Sequence, residues 1–550
     1  IGGENPGEGN LLAGNRFHGV MMGAPTTTGN TVAGNFIGPD ASGSVGLGND
    51  VGIWIDDAAS NLVGGETPGA RNVISGNREG VTLWIAGATM NLVIGNYVGT
   101  DANGSFAIPN ERGVVVYGPS NTVGGFAPGT GNLISGNLWE GVSVNGPLAI
   151  NNLVQGNWVG TDASGQSALP NGQAGIFVND ASGTLVGGPQ QGAGNLVSGN
   201  GGSGIFILGS LSDANVVQGN WVGVTLNGDQ ALPNAADGIY VDGATRTWIG
   251  GPGTHEGNLT SGNGAWGVHL WGGTDNLLEG NLIGLTADGA AALGNAEGGV
   301  FIQDTPDNFI GSAGQGGRNV ISGHTGAGIM IVGDPSTGNV IQGNYIGTNI
   351  SGDAALSNDT GVLLFAPETQ IGGSAAGEGN LISGNANMGI DIAEGRTATL
   401  IEGNLIGTDA AGIAAVGNSI GIWVNGAVDT RIGGAGGAGN VISGNTVGVQ
   451  IGAGATGTSV LGNRIGVNVS DGALGNAAMG IHLYQDAYDN VIGGPAPAAG
   501  NTIAHNGSAG IRIDDAGSVG NQIMGNAIHG NGQLGIDIHP DGVNDNDSGD

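Results

Sequence analysis

An asparagine followed three or four residues later by Gly, an aliphatic residue, any residue and a second aliphatic residue recurs from one end of this chain to the other. The glycines stand at 19, 52, 80, 113, 141, 175, 204, 238, 267, 299, 328, 361, 389, 421, 448, 480, 510 and 535, and 17 of the 18 preceding positions are Asn. The exception is His324, before Gly328. The steps mostly alternate near 28 and near 33, so two units of the pattern make one sequence repeat of about 61 residues. Val63-Gly64-Gly65, Val123-Gly124-Gly125, Val186-Gly187-Gly188, Ile371-Gly372-Gly373 and Ile432-Gly433-Gly434 mark the longer register. A period of this kind outranks length as a guide to domain number and predicts one continuous repeat domain over 1–550.

The residues one and three after each glycine share a face if the segment is a strand. All 36 are Val, Ile, Leu or Met, as in Ile53 and Ile55, Val142 and Val144, or Ile511 and Ile513. Asn121-Thr122-Val123, Asn132-Leu133-Ile134 and Gly141-Val142-Ser143-Val144 read as three short strands of one coil, separated by Gly/Asn turns. An aliphatic column repeated once per coil is buried only if each coil stacks on the last around a common interior. The expectation is an all-β, right-handed single-stranded parallel β-helix of about 18 coils, three strands per coil and two coils per repeat, extending roughly 85 Å. A second ladder is expected two residues before the aliphatic of each Val/Ile-x-Gly segment, where Asn61, Asn91, Asn121, Asn152, Asn276 and Asn490 alternate with Thr184, Thr247, Thr369 and Thr430. Stacked amides there would satisfy turn backbone groups that burial otherwise orphans.

Asn137-Leu138-Trp139-Glu140-Gly141-Val142-Ser143-Val144, Asn157-Trp158-Val159-Gly160-Thr161-Asp162-Ala163-Ser164-Gly165 and their counterparts resemble the right-handed parallel β-helix proteins of the pectin-lyase-like superfamily, above all its bacterial secreted and surface members. The resemblance covers nearly the whole chain and implies the fold. That superfamily includes lyases, hydrolases, epimerases, tailspikes and adhesins, so it implies no single activity. Its polygalacturonase motifs (Asn-Thr-Asp, Gly-His-Gly, Arg-Ile-Lys) and the epimerase Asp-Pro-His segment are absent from the sequence, and Ser322-Gly323-His324-Thr325 falls in the Asn ladder.

Composition narrows the partners. A formal charge of −34, from 44 acidic and 10 basic residues with no Lys, excludes a nucleic-acid surface. There is no Cys, and no apolar run long enough for a spanning helix. The mid-repeat start at Ile1 reads as a piece of a longer chain. Acidity and a rigid solenoid suit an extracellular or cell-surface stalk or adhesin.

Positions two and four after each repeat glycine point outward. They hold Trp54, Trp84, Tyr117, Phe177, Phe206, Tyr240, Trp271, Phe301, Phe365, Trp423 and Tyr484, which is 11 of the chain's 24 aromatics, where a random spread would place about 1.6. Three readings of this stripe stand: an interface with a second copy or another surface protein, a track for a polysaccharide, or cross-strand ladders that only stabilise the sheet. The sequence-level expectation is a structural or adhesive protein that binds a partner chain through the stripe, with a polysaccharide-binding, lyase or hydrolase role as the alternative. For the alternative, Asp242 and His269 in adjacent coils and Asp514 and Asp537 near the end of the face are the catalytic candidates, since glycoside hydrolysis needs two carboxylates about 5 to 10 Å apart. No organic cofactor is indicated. Calcium is the one candidate ion, at Asp541, Asp545 and Asp547 in the Asp/Asn-rich tail 540–550. The recurring Gly-Thr-Asp-Ala-x-Gly aspartates, Asp101, Asp162 and Asp409, with Asp40 in a related segment, are expected as turn formers instead, because aspartates two coils apart sit about 9.6 Å from each other and cannot share an ion.

Overall fold

The computed structural model describes residues 1–539, so Asp541, Asp545 and Asp547 lie outside the described residues. The chain divides into two compact units, Ile1–Ala287 and Asp288–Asp550. Each unit winds the same coil. In one example Leu133–Ile134 belongs to a first sheet, Val142–Asn145 to a second and Leu153–Gln155 to a third. Each strand pairs in parallel with its counterpart one coil on: Leu133 with Trp158, Val142 with Ile176, Leu153 with Leu185. Each unit holds nine strands of the second sheet. Helix among the described residues is confined to the single turns Pro68–Ala70 and Gln315–Gly317, and no helix is long and apolar enough to cross a membrane. The all-β parallel coil expected from the period is therefore the observed one.

The aliphatic columns form the interior. Ile53, Ile55, Val142, Val144, Ile329 and Ile331 are fully buried, and the first and third sheets add Ile134 and Val154 from their sides. Each such side chain contributes about 1.5–3 kcal/mol relative to exposure.

The coupling of Asn to Gly has a steric cause. A Cβ on Gly141 would lie 2.8 Å from the Asn171 amide nitrogen and 2.8 Å from the Gly175 carbonyl, both of the next coil. The amide of each coil occupies the space that a side chain on the preceding repeat glycine would need. A coil that carries the amide therefore requires glycine in the coil before it.

Asparagine ladders run at three corners of the coil rather than the two expected. One carries the residue before the repeat glycine: Asn137 Nδ2 donates to Asn171 Oδ1 at 2.8 Å, and Asn171 Nδ2 to Asn200 Oδ1 at 2.9 Å. One precedes the first sheet: Asn132 Nδ2 donates to Asn157 Oδ1 at 2.9 Å, and Asn157 Nδ2 to Asn195 Oδ1 at 3.0 Å. The third precedes the third sheet, where Asn61 Nδ2 donates to Asn91 Oδ1 at 3.1 Å. Thr is not equivalent to Asn in this last ladder. The Thr184 amide N–H donates to Asn215 Oδ1 at 2.8 Å, but the Thr184 hydroxyl and the Asn152 amide nitrogen below it find no partner. A hydroxyl is too short to pass the chain of bonds on.

His324 is a substituted rung, as expected. Its Nδ1 accepts from the Asn295 N–H at 3.1 Å, and its own N–H donates to Asn358 Oδ1 at 3.2 Å. His324→Asn should therefore stabilise the protein by about 1 kcal/mol, one net hydrogen bond, in urea unfolding. A destabilised variant would mean that the imidazole is the better fit.

The Gly-Thr-Asp loops are turns. Asp162 Oδ1 accepts from the backbone of Ser164, Gln166 and Ser167, and Asp101 Oδ1 from Ser105 and Phe106. Beyond the aspartates the loops are joined: the Ala163 N–H donates to the Gly104 carbonyl at 2.9 Å, and Leu226 N–H to the Gly165 carbonyl at 2.9 Å. Successive long loops lean onto each other and form a ladder of their own.

Candidate binding face on the second sheet

In Ile1–Ala287 the outward rings of the second sheet form two stacked runs. His18 stacks on Trp54 at 5.3 Å, Trp54 lies 5.4 Å from Trp84, and Trp84 meets Tyr117 edge-on at 4.7 Å. Further along, Phe177, Phe206, Tyr240 and His269 follow at 5.3, 4.7 and 4.6 Å, with only 11° between the Phe206 and Tyr240 planes. In the Phe206, Tyr240 and His269 stack these spacings match the coil rise, so ring faces meet along the solenoid and rims face outward, whereas Trp84 and Tyr117 meet edge to face. Between the runs the outward positions hold Thr82, Val115 and Ser143, which are buried rather than exposed.

The residue before each repeat glycine also belongs to this face, which sequence reasoning missed. Strict alternation would send it inward. The Cβ direction of Gly141 and the side chain of Val142 both point to the interior, so alternation breaks at the glycine and Glu140 turns outward. The same holds at Glu79, whose Oε2 accepts from Thr82 Oγ1 at 2.6 Å. The signal was in the sequence: three successive positions of this row read Glu79, Arg112, Glu140.

This row assembles charge. Arg112 donates to Glu140 Oε2 at 3.3 Å, approaches Glu79 at 3.9 Å and lies 4.5 Å over the Trp139 ring. Arg78 bridges Asp50 at 2.7 Å and Glu79 at 2.6 Å. Burial, and then the Glu79 carboxylate, raise the Tyr117 hydroxyl above its ordinary value. Asp237 occupies the same row three coils beyond Glu140. It accepts from the Trp266 N–H at 3.0 Å and faces His269 Nδ1 at 3.3 Å. His269 is thus partnered by Asp237, whereas the expected Asp242 accepts from Tyr240 Oη at 3.2 Å. Burial and the Asp242 charge raise the Tyr240 hydroxyl well above its usual range.

Between Glu140 and Asp237 runs a groove of about 420 Å³. Its floor is formed by Phe177, Phe206 and Tyr240, and its wall by the turns carrying Gln173 and Ser203. Trp271, 43% exposed, stands in register with Asp242, and Trp84, 40% exposed, holds the corresponding place in the first run.

In the second unit the outward row reads Phe301, Met330, Leu363, Asp391, Trp423, Gln450, His482, Arg512 and Asp537 in register. Phe365 is 39% exposed beside it, and Tyr484 stacks on His482 at 4.8 Å. Asp514 accepts from Arg512 at 2.7 Å and pairs with His482 Nε2 at 2.9 Å. Burial raises the Asp514 carboxyl, but the bonds from Arg512 and His482 outweigh it and hold it below the usual carboxylate range. A group so held is a poor proton donor, the role that one of two hydrolytic carboxylates must fill. Asp537 stands opposite Arg512 in the register. Asp391, by contrast, is pushed up to about 6 by burial, yet its register neighbours are Leu363 and Trp423 rather than a second carboxylate.

No family model matches this chain, and no curated protein matches it. Among solved structures it is similar to the Dettilon tailspike protein (17% identity, 68% of this chain and 63% of that one, TM-score 0.36). It is also similar to the periplasmic alginate epimerase AlgG (11%, 94% and 86%, TM-score 0.24) and to PfbA, a surface adhesin of Streptococcus pneumoniae (12%, 77% and 85%, TM-score 0.30). The chain spans less than two thirds of the tailspike's length. Likenesses at this level decide neither fold nor function.

Proposed function

We propose that this is an extracellular β-helix protein that binds a polysaccharide chain along the second sheet of Ile1–Ala287, without transforming it. The groove between Glu140 and Asp237 is the observation that carries this reading. It offers an apolar floor of ring rims with a few convergent polar groups on its wall and at its ends, the usual make-up of a small-ligand site. A hydroxyl-rich, flat-faced polymer uses both. A protein partner would meet charged carboxylates where interface cores are depleted of charge.

The groove favours a glycan over the partner chain that the aromatic row alone favours. The partner reading keeps one observation in its favour, the exposure of Trp84 and Trp271. One experiment separates the two. Gln173 is exposed at the groove wall, so Gln173→Trp is tolerated by the fold and fills the groove. Titration of neutral hexasaccharides by calorimetry should show binding to the wild type and at least a roughly tenfold loss in the variant, about 1.4 kcal/mol. A wild type that binds no saccharide but sediments as an oligomer would replace the glycan reading with the partner chain.

A further inference from the structure

The charges around the groove go further than the reading just given and rest on it. Among the described residues Asp50, Glu79 and Glu140 share two guanidiniums, Arg78 and Arg112, and Asp237 adds a carboxylate that accepts from the Trp266 N–H and faces His269 Nδ1. Carboxylates thus outnumber guanidiniums along the groove, on a molecule of net −34. Glu140 and Asp237 are 8% exposed each, so water screens them less than it screens surface carboxylates. We propose that the groove selects a glycan bearing free amines, a polymer of the glucosamine type, with one ammonium on Glu140 and another on Asp237.

Spacing supports two anchors. Glu140 and Asp237 lie three coils apart, about 14 Å at the coil rise, which is the reach of roughly three linked sugars. An amine on each sugar lets one ligand meet both carboxylates while its rings cross the floor of Phe177, Phe206 and Tyr240. Uronic acid polymers meet the opposite field and are repelled. A Lys-rich peptide brings the same charge on four-carbon stems, whose ordering opposes binding, and it has no rigid ring to set against the floor.

The test is calorimetry on the whole chain with four probes: a glucosamine hexasaccharide, its fully N-acetylated form, a hexagalacturonate and a hexalysine peptide. At about pH 7 carboxylates are ionised, and an amine with the ordinary α-amino value of about 7.7–8.0 is still largely protonated. The amine hexamer should bind about tenfold or more tightly than the acetylated one, and the difference should shrink with added salt. Glu140→Gln with Asp237→Asn should erase that difference. If the double variant fails to fold because Arg112 loses its partner, Asp237→Asn alone should reduce it. Equal binding of both hexamers by the wild type overturns the amine preference and leaves the glycan reading standing. Hexalysine binding as tightly as the amine hexamer overturns the preference for a saccharide cation. Binding of no saccharide at all overturns both readings.

Discussion

Replacing Asn220 by Leu should destabilise its surroundings by roughly 4 kcal/mol, more than any surface change in this chain. Asn220 Oδ1 accepts from both the N–H of Asn195 at 3.0 Å and its amide at 2.8 Å, while Nδ2 donates to the Val186 carbonyl at 2.9 Å, the Gln218 carbonyl at 3.1 Å and Asn258 Oδ1 at 3.0 Å. The residue is fully buried. Leucine repeats its branched outline with two bulkier methyl groups, but leaves two donors of Asn195 without an acceptor and two carbonyls short of a donor. An orphaned buried group costs about 1–3 kcal/mol. Each coil touches mainly its neighbours, so the damage should stay local. Amide hydrogen exchange should show lost protection at Asn195 and Trp221 before Asn30 or Phe36 is affected. Unchanged protection at Asn195 would mean that water replaces the amide without loss and that the ladder is dispensable.

The same ladder explains what the sequence could tell. Period-2 alternation of Val142 and Val144 around a repeating glycine permits only stacked coils, because no other arrangement buries one aliphatic column per 30 or so residues. The coil was therefore legible from local pattern alone. The charged row was not. Glu79, Arg112, Glu140 and Asp237 face outward only because Gly80, Gly113, Gly141 and Gly238 each turn a second consecutive position inward, to clear the Asn amide of the next coil. That break in alternation is a consequence of contacts between coils, which lie some 30 residues apart in sequence. His269 shows the result: by alternation its partner looks like Asp242, and by the broken alternation it is Asp237. The aromatic stripe was legible as a row, but the mutual stacking of its rings depends on the coil rise and turns faces into rims.

Asp391→Asn should stabilise the protein at neutral pH by about 2 kcal/mol and remove a slope from its pH profile. Asp391 sits in the aromatic row between Leu363 and Trp423, and its Oδ1 finds no protein hydrogen-bond partner; the buried Trp423 Nε1 finds none either. Asp514, in the same sheet, is held low by two donors, so the contrast isolates the effect of burial without donors. Burial lifts the Asp391 carboxyl from 3.8 to about 6. The folded value lies above the unfolded one, so the native state binds more protons between them and stability falls as pH rises through that window. Below about pH 4 the contribution is fully present, and above about pH 6 it is lost, because the folded chain must then ionise a carboxyl in apolar surroundings. Two pH units correspond to about 2.7 kcal/mol, reduced to about 2 by partial exposure. Between about pH 4 and about pH 7, urea unfolding should show the wild type losing about 2 kcal/mol relative to the variant. Parallel profiles for the two proteins would place the buried proton on another group and leave Asp391 solvated in its row.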